Sequence, residues 1–253
     1  TELKDAYSKS REIFTHARNN NNNLSDINSL NQNQHIAHGL AWYATYVESL
    51  LQLSKWIEYL EAHNRLTDLE EGIAGVGAGE YCLQIMHGIP MSQNETIRPE
   101  ELGIPSEIIE DFKKVTESLT QRSTSFEKNR VMTILQQSIE SGIQPDDGLD
   151  ETYQEIKNQF KRFVDDEITP HAHEWHMNDD YIPLEIIKKM SELGVFGLTI
   201  PEEYGGLGLE KKAMCIVSEE LSRGWVGVGS LGTRSEIAAE LILIGGTEEQ
   251  KQK

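Results

Sequence analysis

Apolar residues recur along this chain at steps of three and four. Leu3, Tyr7, Phe14 and Ala17, with Ser10 on the same face, predict a first helix ending near Arg18. The run Asn19 to Asn23 breaks it, because asparagine side chains compete for the backbone hydrogen bonds that a helix needs. The polar stretch up to Gln34 reads as a loose connection. The period is most regular from Ile36 to Leu60, where Ile36, Leu40, Tyr43, Val47, Leu50, Ser54 and Ile57 predict one long amphipathic helix. Asp68 is expected to cap the next helix, which carries Leu69, Ile73 and Val76 as its stripe towards Tyr81 and Met86. Gly72, Gly75 and Gly79 fall on a neighbouring face. Glycine costs a helix interior about 1 kcal/mol against alanine, so three at helical spacing imply that another backbone packs close there. A helix capped by Ser106, with Ile108, Phe112, Val115 and Leu119 on one face, and another from near Phe126 with Val131, Ile134, Leu135 and Ile139, complete an antiparallel bundle.

The run Ser141-Gly-Ile-Gln-Pro-Asp-Asp-Gly148 then mixes glycine, proline and acids, the composition of a domain boundary. It divides the chain into a helical domain over 1–144 and a second over 149–253. Leu149, Tyr153, Ile156, Phe160 and Phe163 open the second, running to Ile168 before Pro170. Asp179 or Asp180 is expected to cap the following helix, with Ile186, Ile187, Met190 and Leu193 buried. Gly194 sits where a left-handed glycine would end that helix. Beyond it, Val195 to Ile200 is apolar, Pro201 blocks regular continuation, and Gly205, Gly206 and Gly208 permit a sharp turn, so the stretch predicts a shaped loop with a fixed seat. A helix around Met214, Val217 and Leu221 follows. Another runs from about Ser230 through Ile237 and Leu241 to Ile244, and Thr247 begins one more. No run alternates with a period of two. The fold class is therefore all-α, two helical bundles in tandem.

A net charge of −19 over 253 residues argues against nucleic acid and anionic membranes as partners, since their phosphates would repel the chain. Two cysteines, Cys82 and Cys215, lie far apart and read as free, buried thiols of a reducing compartment. With no basic-then-apolar leader at Thr1 and no long apolar run, the reading is a cytoplasmic protein.

Few residues invite chemistry. His171, His173 and His176 cluster in sequence, but the bend at Pro170 and the uneven spacing favour solvent-facing side chains over a metal site. Glu202-Glu203 and Glu219-Glu220 are adjacent pairs, which diverge on a helix and make no acid/base couple. Gly75-Val-Gly-Ala-Gly79 has no preceding strand and reads as helix packing, not a nucleotide loop. No nucleophile elbow, phosphate loop or Cys/His couple is present.

From Leu149 to Lys253 the chain resembles the N-terminal helical domain of flavin-dependent acyl-CoA dehydrogenases. The resemblance is carried by Leu193-Gly-Val-Phe-Gly-Leu-Thr-Ile-Pro-Glu-Glu-Tyr-Gly-Gly-Leu-Gly-Leu209, Ile168-Thr-Pro170, Ala172, Trp175, Pro183, Ser218-Glu-Glu-Leu221, Gly229-Ser-Leu231 and Gly246-Thr-Glu-Glu-Gln250. It implies FAD as cofactor, an acyl-CoA substrate, an electron-transfer flavoprotein as acceptor and a homo-oligomer in the full-length form. It also implies that the carboxylate base and most flavin contacts lie in later domains. The second domain is thus expected to be truncated at its C-terminal end, the fragment alone to be inactive and to hold no FAD, and no catalytic residue is assigned. The resemblance further implies that the helix at Gly229-Ser-Leu231 lines the acyl pocket. Here that helix is charged at Thr233-Arg234-Ser235-Glu236, so Ser230, Thr233 and Arg234 are the expected substrate-binding residues. Arg234 either meets a substrate carboxylate or bridges to Glu236, Glu240 or another local acid. Together with the extra N-terminal portion, this run is similar to a branch of the family that oxidises a dicarboxylic acyl-CoA. Alternatives are another short acyl-CoA, or a helical interaction protein without catalysis.

Overall fold

The long stripe beginning at Ile36 becomes α3 (Gln34–Ala62), which buries Tyr43, Val47, Leu50, Ser54, Ile57 and Leu60. In a computed structural model describing all residues from Thr1 to Lys253, the chain is almost entirely helical and divides into two compact units, Thr1–Gly148 and Leu149–Lys253.

In the first unit α1 (Glu2–Asn20) lies against α3. Its helix runs into the asparagine run before Asn21 ends it, and a short α2 (Ile27–Gln32) intervenes before α3. Next comes α4 (Asp68–His87), whose cap is Thr67 and not Asp68. The Thr67 side chain accepts from the Leu69 N–H, while Glu70 folds back onto the Thr67 N–H and hydroxyl. Gly88, at φ 122°, ends α4 and turns the chain into a minimal antiparallel pair, β1 (Ile89–Pro90) with β2 (Thr96–Ile97). Ile89 and Ile97 are fully buried, and Ile97 lies over Gly39 of α3. Two residues per strand are too few to show alternation, so the sequence pattern passes over this hairpin. Helices α5 (Ser106–Gln121) and α6 (Ser125–Glu140) close the unit. Ser106 is the first helical residue after Pro105 and makes no capping bond, whereas Thr124 caps α6 onto the Glu127 N–H.

The glycine face of α4 meets α5, α6 and the turn between them. A Cβ on Gly79 would stand 2.4 Å from the Leu119 carbonyl oxygen, one on Gly72 2.7 Å from Val131, and one on Gly75 2.5 Å from the Arg122 stem. Close backbone approach holds at Gly79, while at the other two positions a side chain fills the space. Gly75-Val-Gly-Ala-Gly79 is thus an internal packing surface.

The second unit is built from α7 (Glu151–Glu167), α8 (Thr169–Met177), α9 (Leu184–Glu192), α10 (Lys211–Gly224), α11 (Val226–Gly245) and α12 (Glu248–Gln252). Its core joins Phe160 and Val164 of the first of these, and Ile168 just after it, to Ile186, Met190, Val195, Leu198, Val217, Leu221 and Val228. Asp150 caps α7 through the Tyr153 N–H. Neither Asp179 nor Asp180 caps α9: Pro183 holds that position, and Asp179 itself adopts a left-handed φ of 58°. Cys82 is buried and its thiol is pushed up to about 12 by that burial, but Cys215, expected inside, is exposed. No helix is long and apolar enough to cross a membrane.

Candidate functional site

The loop after α9 is held by its own backbone. Gly194 ends the helix at φ 79°, and Gly205 turns the chain back at φ 85°. Leu207 then donates to the Gly197 carbonyl at 2.8 Å, Leu209 to Leu198 at 2.8 Å and Gly208 to Ile200 at 2.9 Å. Gly206 lies so close to Ile200 that any Cβ there would strike the Ile200 carbonyl, and Val195 and Leu198 anchor the loop in the core. This is a rigid seat, and α11 rests on it, with Gly232 against Val195.

Helix α11 begins a full turn before Ser230, directly after α10. Gly229 fits against the backbone of Ser222, which lets the two helices follow one another with only Trp225 between them. The buried face of α11 carries Val228, Gly229, Gly232 and Glu236. The opposite face reads Val226, Ser230, Arg234, Ile237, Leu241, Ile244, at steps of four, four, three, four and three. Its four apolar members are 60–82% exposed. An apolar stripe at that spacing is what a helix normally buries. Ser230 and Arg234 sit inside it.

Glu236 is nearly buried. It accepts hydrogen bonds from Thr199 of the loop and from Lys211 at the start of α10, and Lys211 also bonds Glu240. Burial works to lower the Lys211 pKa, but the bonds and charges of the two glutamates outweigh it and raise it. Arg234, two residues from Glu236, points from the other side of the helix, since neighbours at i and i+2 do not face each other. It donates from Nε to Ser230 Oγ at 3.0 Å and enters no ion pair, so of its two alternatives the local bridge to Glu236 or Glu240 is not formed. Thr233 donates to the Ser230 carbonyl at 3.0 Å. The structure thus brings Ser230, Thr233 and Arg234 to one stretch of helix. Lys211, which takes up the neighbouring acids, escaped the sequence reading; only the spacing of Glu236 and Glu240 hinted at a cation between them.

Elsewhere in the unit the three histidines are exposed. His171 lies 5.4 Å, centroid to centroid, from the Trp175 ring, and no three His, Cys, Asp or Glu side chains converge on a metal position. Glu220 is buried against Arg223, which also reaches Asp165 and so ties α10 to α7. One cavity of about 320 Å³ lies between the loop and the end of α11, lined by Ile200, Pro201, Tyr204, Ile242 and Leu243. Its polar neighbours are already engaged, Tyr204 and Lys251 with Glu248 and Glu240 with Lys211. Ser230, Thr233 and Arg234 do not line it. The lysines that line it, Lys251 and Lys253, are paired with Glu248 and Glu249, so this cavity offers no free cation to the phosphates of a flavin.

Residues 150–253 match the family described as acyl-CoA dehydrogenase, N-terminal domain, and this stretch of the chain is such a domain. Over 223 residues the chain is 49% identical to the (2S)-methylsuccinyl-CoA dehydrogenase of Cereibacter sphaeroides, a match covering 88% of the chain and 40% of that protein. It is 37% identical over 107 residues to the mitochondrial isovaleryl-CoA dehydrogenase of Solanum tuberosum, covering 41% of the chain and 26% of that enzyme. A third relative, the 3-(aryl)acrylate reductase of Clostridium sporogenes, is 36% identical over 105 residues, 41% of the chain and 27% of the relative. The chain therefore spans well under half the length of these relatives. A match of 223 residues cannot fit within Leu149–Lys253, so it takes in most of the first unit as well, while the other two matches are the size of the second unit alone.

Proposed function

We propose that this chain is part of an FAD-dependent acyl-CoA dehydrogenase that converts an acyl-CoA to its α,β-enoyl-CoA, acting on a short branched dicarboxylic substrate such as methylsuccinyl-CoA. The substrate half of this reading is carried by Arg234, an exposed guanidinium with no carboxylate partner, standing in an apolar stripe beside Ser230. That surface complements a ligand that is apolar along its length and ends in a carboxylate. A guanidinium can grip a carboxylate through two parallel hydrogen bonds, which fixes orientation as well as charge. Ser230 orients the fork by accepting from Nε, and Thr233 adds a hydroxyl on the same turn. A plain acyl tail would leave the cation unmatched, so the residue that attracts one substrate also rejects the other. Bound FAD supplies the hydride acceptor; the residues of this chain hold and orient the far end of the substrate, and no general base is assigned among them. The relatives' names support acyl-CoA chemistry, and the shared first unit favours the dicarboxylic branch. An electron-transfer flavoprotein as acceptor and a homo-oligomeric assembly belong to the same reading.

The test is Arg234→Met in the complete enzyme. The kcat/KM for methylsuccinyl-CoA should fall on the order of 10- to 100-fold, the worth of one charged hydrogen-bonded contact, while butyryl-CoA is unaffected or improved. An unchanged preference between the two would refute the role of Arg234. A complete protein that bound no flavin at all would favour a helical interaction protein, which the exposed apolar stripe of α11 would also suit.

A further inference from the structure

The pairing of charges around α11 is divided between its two faces. Glu236 and Glu240 are one turn apart on the same side, and both carboxylates accept from the single ammonium of Lys211. Lys211 stands on the first turn of α10, and its Nζ also lies 3.3 Å from Thr199 Oγ1 of the glycine-rich loop. One side chain thus links three elements: the loop, the start of α10 and the middle of α11. Glu236 is the buried member of the pair and Glu240 the half-buried one. A carboxylate as enclosed as Glu236 is tolerated only with a partner, so the rotation of α11 about its axis is tied to the place where Lys211 can reach it. Arg234 shares the helix with both glutamates, so turning α11 would carry the two acids off Lys211 and re-aim the guanidinium with them.

Given the reading of Arg234 above, we infer that Lys211 is a positioning residue for substrate choice: by straddling Glu236 and Glu240 it fixes the rotation of α11, and with it the direction in which Arg234 presents its guanidinium to the ligand. Lys211 itself touches no substrate in this scheme. Its pKa, raised by the two glutamates against the lowering effect of burial, keeps it charged throughout the neutral range.

Lys211→Met and Lys211→Arg in the complete enzyme test this through two readouts. Hydrogen exchange should show the amides of Val226–Gly245 losing protection in Lys211→Met and regaining it in Lys211→Arg, which can still reach both carboxylates. The preference for methylsuccinyl-CoA over butyryl-CoA should fall by about tenfold in the methionine variant and recover in the arginine variant. A purely structural role would lower both kcat/KM values together and leave their ratio alone, and that result would overturn the inference, as would unchanged protection of α11. If Arg234→Met leaves the ratio unchanged, the dicarboxylate reading has failed on its own. The exchange data then decide whether Lys211 holds α11 in place, and unaltered protection would refute that too.

Discussion

Helices α4 and α11 are each twenty residues long and each carries glycines on a packed face, yet they use their surfaces differently. In α4 the glycines admit a neighbour: the chain at Leu119 approaches Gly79 so closely that a methyl group has no room. The face that makes this helix costly in isolation is matched inside its own unit. In α11 the glycines serve the same purpose at Ser222 and Val195, but the opposite face remains apolar, open and marked by one guanidinium. Glycine content alone does not separate a helix that is internally satisfied from one that keeps an apolar face open. The exposed side of each helix does.

The strongest way to break this comparison is to fill the closest approach. Gly79→Ala places a Cβ 2.4 Å from a backbone oxygen, which cannot swing aside as a side chain can. Overpacking of this kind costs about 1–3 kcal/mol, sometimes more, and here it should exceed the gain of up to about 1 kcal/mol from better helix propensity. We expect Gly79→Ala to be about 2 kcal/mol less stable in urea unfolding. If it matched the parent, the close packing of α4 against Leu119 would be wrong.

The stripe of α3, the glycine face of α4 and the seated loop around Gly194 and Gly205 could all be read from sequence, because each depends on spacing within one segment or on a backbone angle that only glycine adopts readily. Caps were less legible. Thr67 and Asp68 are both good capping residues, and only the reach of Glu70 back to Thr67 decides between them. Proline stands at the cap ahead of both Ser106 and Leu184, so polar residues nearby were credited with a role they do not play. Helix α11 starts earlier than its sequence suggests, because Gly227 and Gly229 look like breakers; in the fold Gly229 is set against Ser222 and Gly227 against the Trp225 ring. In the candidate site, Arg234 was identifiable as a charge out of place, and its spacing from Glu236 and Glu240 keeps it from both, but the cation that takes up those two acids, Lys211, belongs to another helix. No local pattern reports such a contact.

The closed character of the first unit extends to its last residues, whose glycine, proline and acids mark a domain boundary. Asp146 receives two bonds from Arg65, at 2.7 and 2.5 Å, and one from the Gly148 N–H. Its carbonyl accepts from Trp56 and its N–H donates to the buried Glu70. Burial pushes the Asp146 pKa up, but the bonds from Arg65 and Gly148 outweigh it and hold it below the ordinary value of 3.8. A carboxyl with a depressed native pKa stabilises the fold above its unfolded pKa, and that stabilisation is lost as pH falls through the native value. Between pH 7 and pH 5 the clamp should therefore be intact, weakening only below about pH 4. With both side chains partly in solvent, its worth is about 1 kcal/mol after screening. Asp146→Asn should expose the peptide bonds between 141 and 148 to protease at pH 7 several times faster than in the parent protein. Equal cleavage rates would mean that the segment is held by something other than this carboxylate.

The smallest expected effect sharpens the comparison most, because it lies on the same helix as the largest. Gly77 is on the outer side of α4, and a Cβ there would find only Leu53 Cδ1, at 3.8 Å, an ordinary contact. Gly77→Ala removes the conformational freedom of glycine from the unfolded chain and adds a little apolar contact to the folded one. It should stabilise the protein by about 0.5–1 kcal/mol, the opposite sign to Gly79→Ala two residues away. Chemical identity, helix and substitution are shared by the two variants, so the difference isolates what lies across from each Cβ. Paired urea titrations of both proteins would read it directly. If Gly77→Ala destabilised as strongly as Gly79→Ala, the open side of α4 would be packed after all, and the contrast between a satisfied helix and an unsatisfied one would need a cause other than the reach of neighbouring atoms.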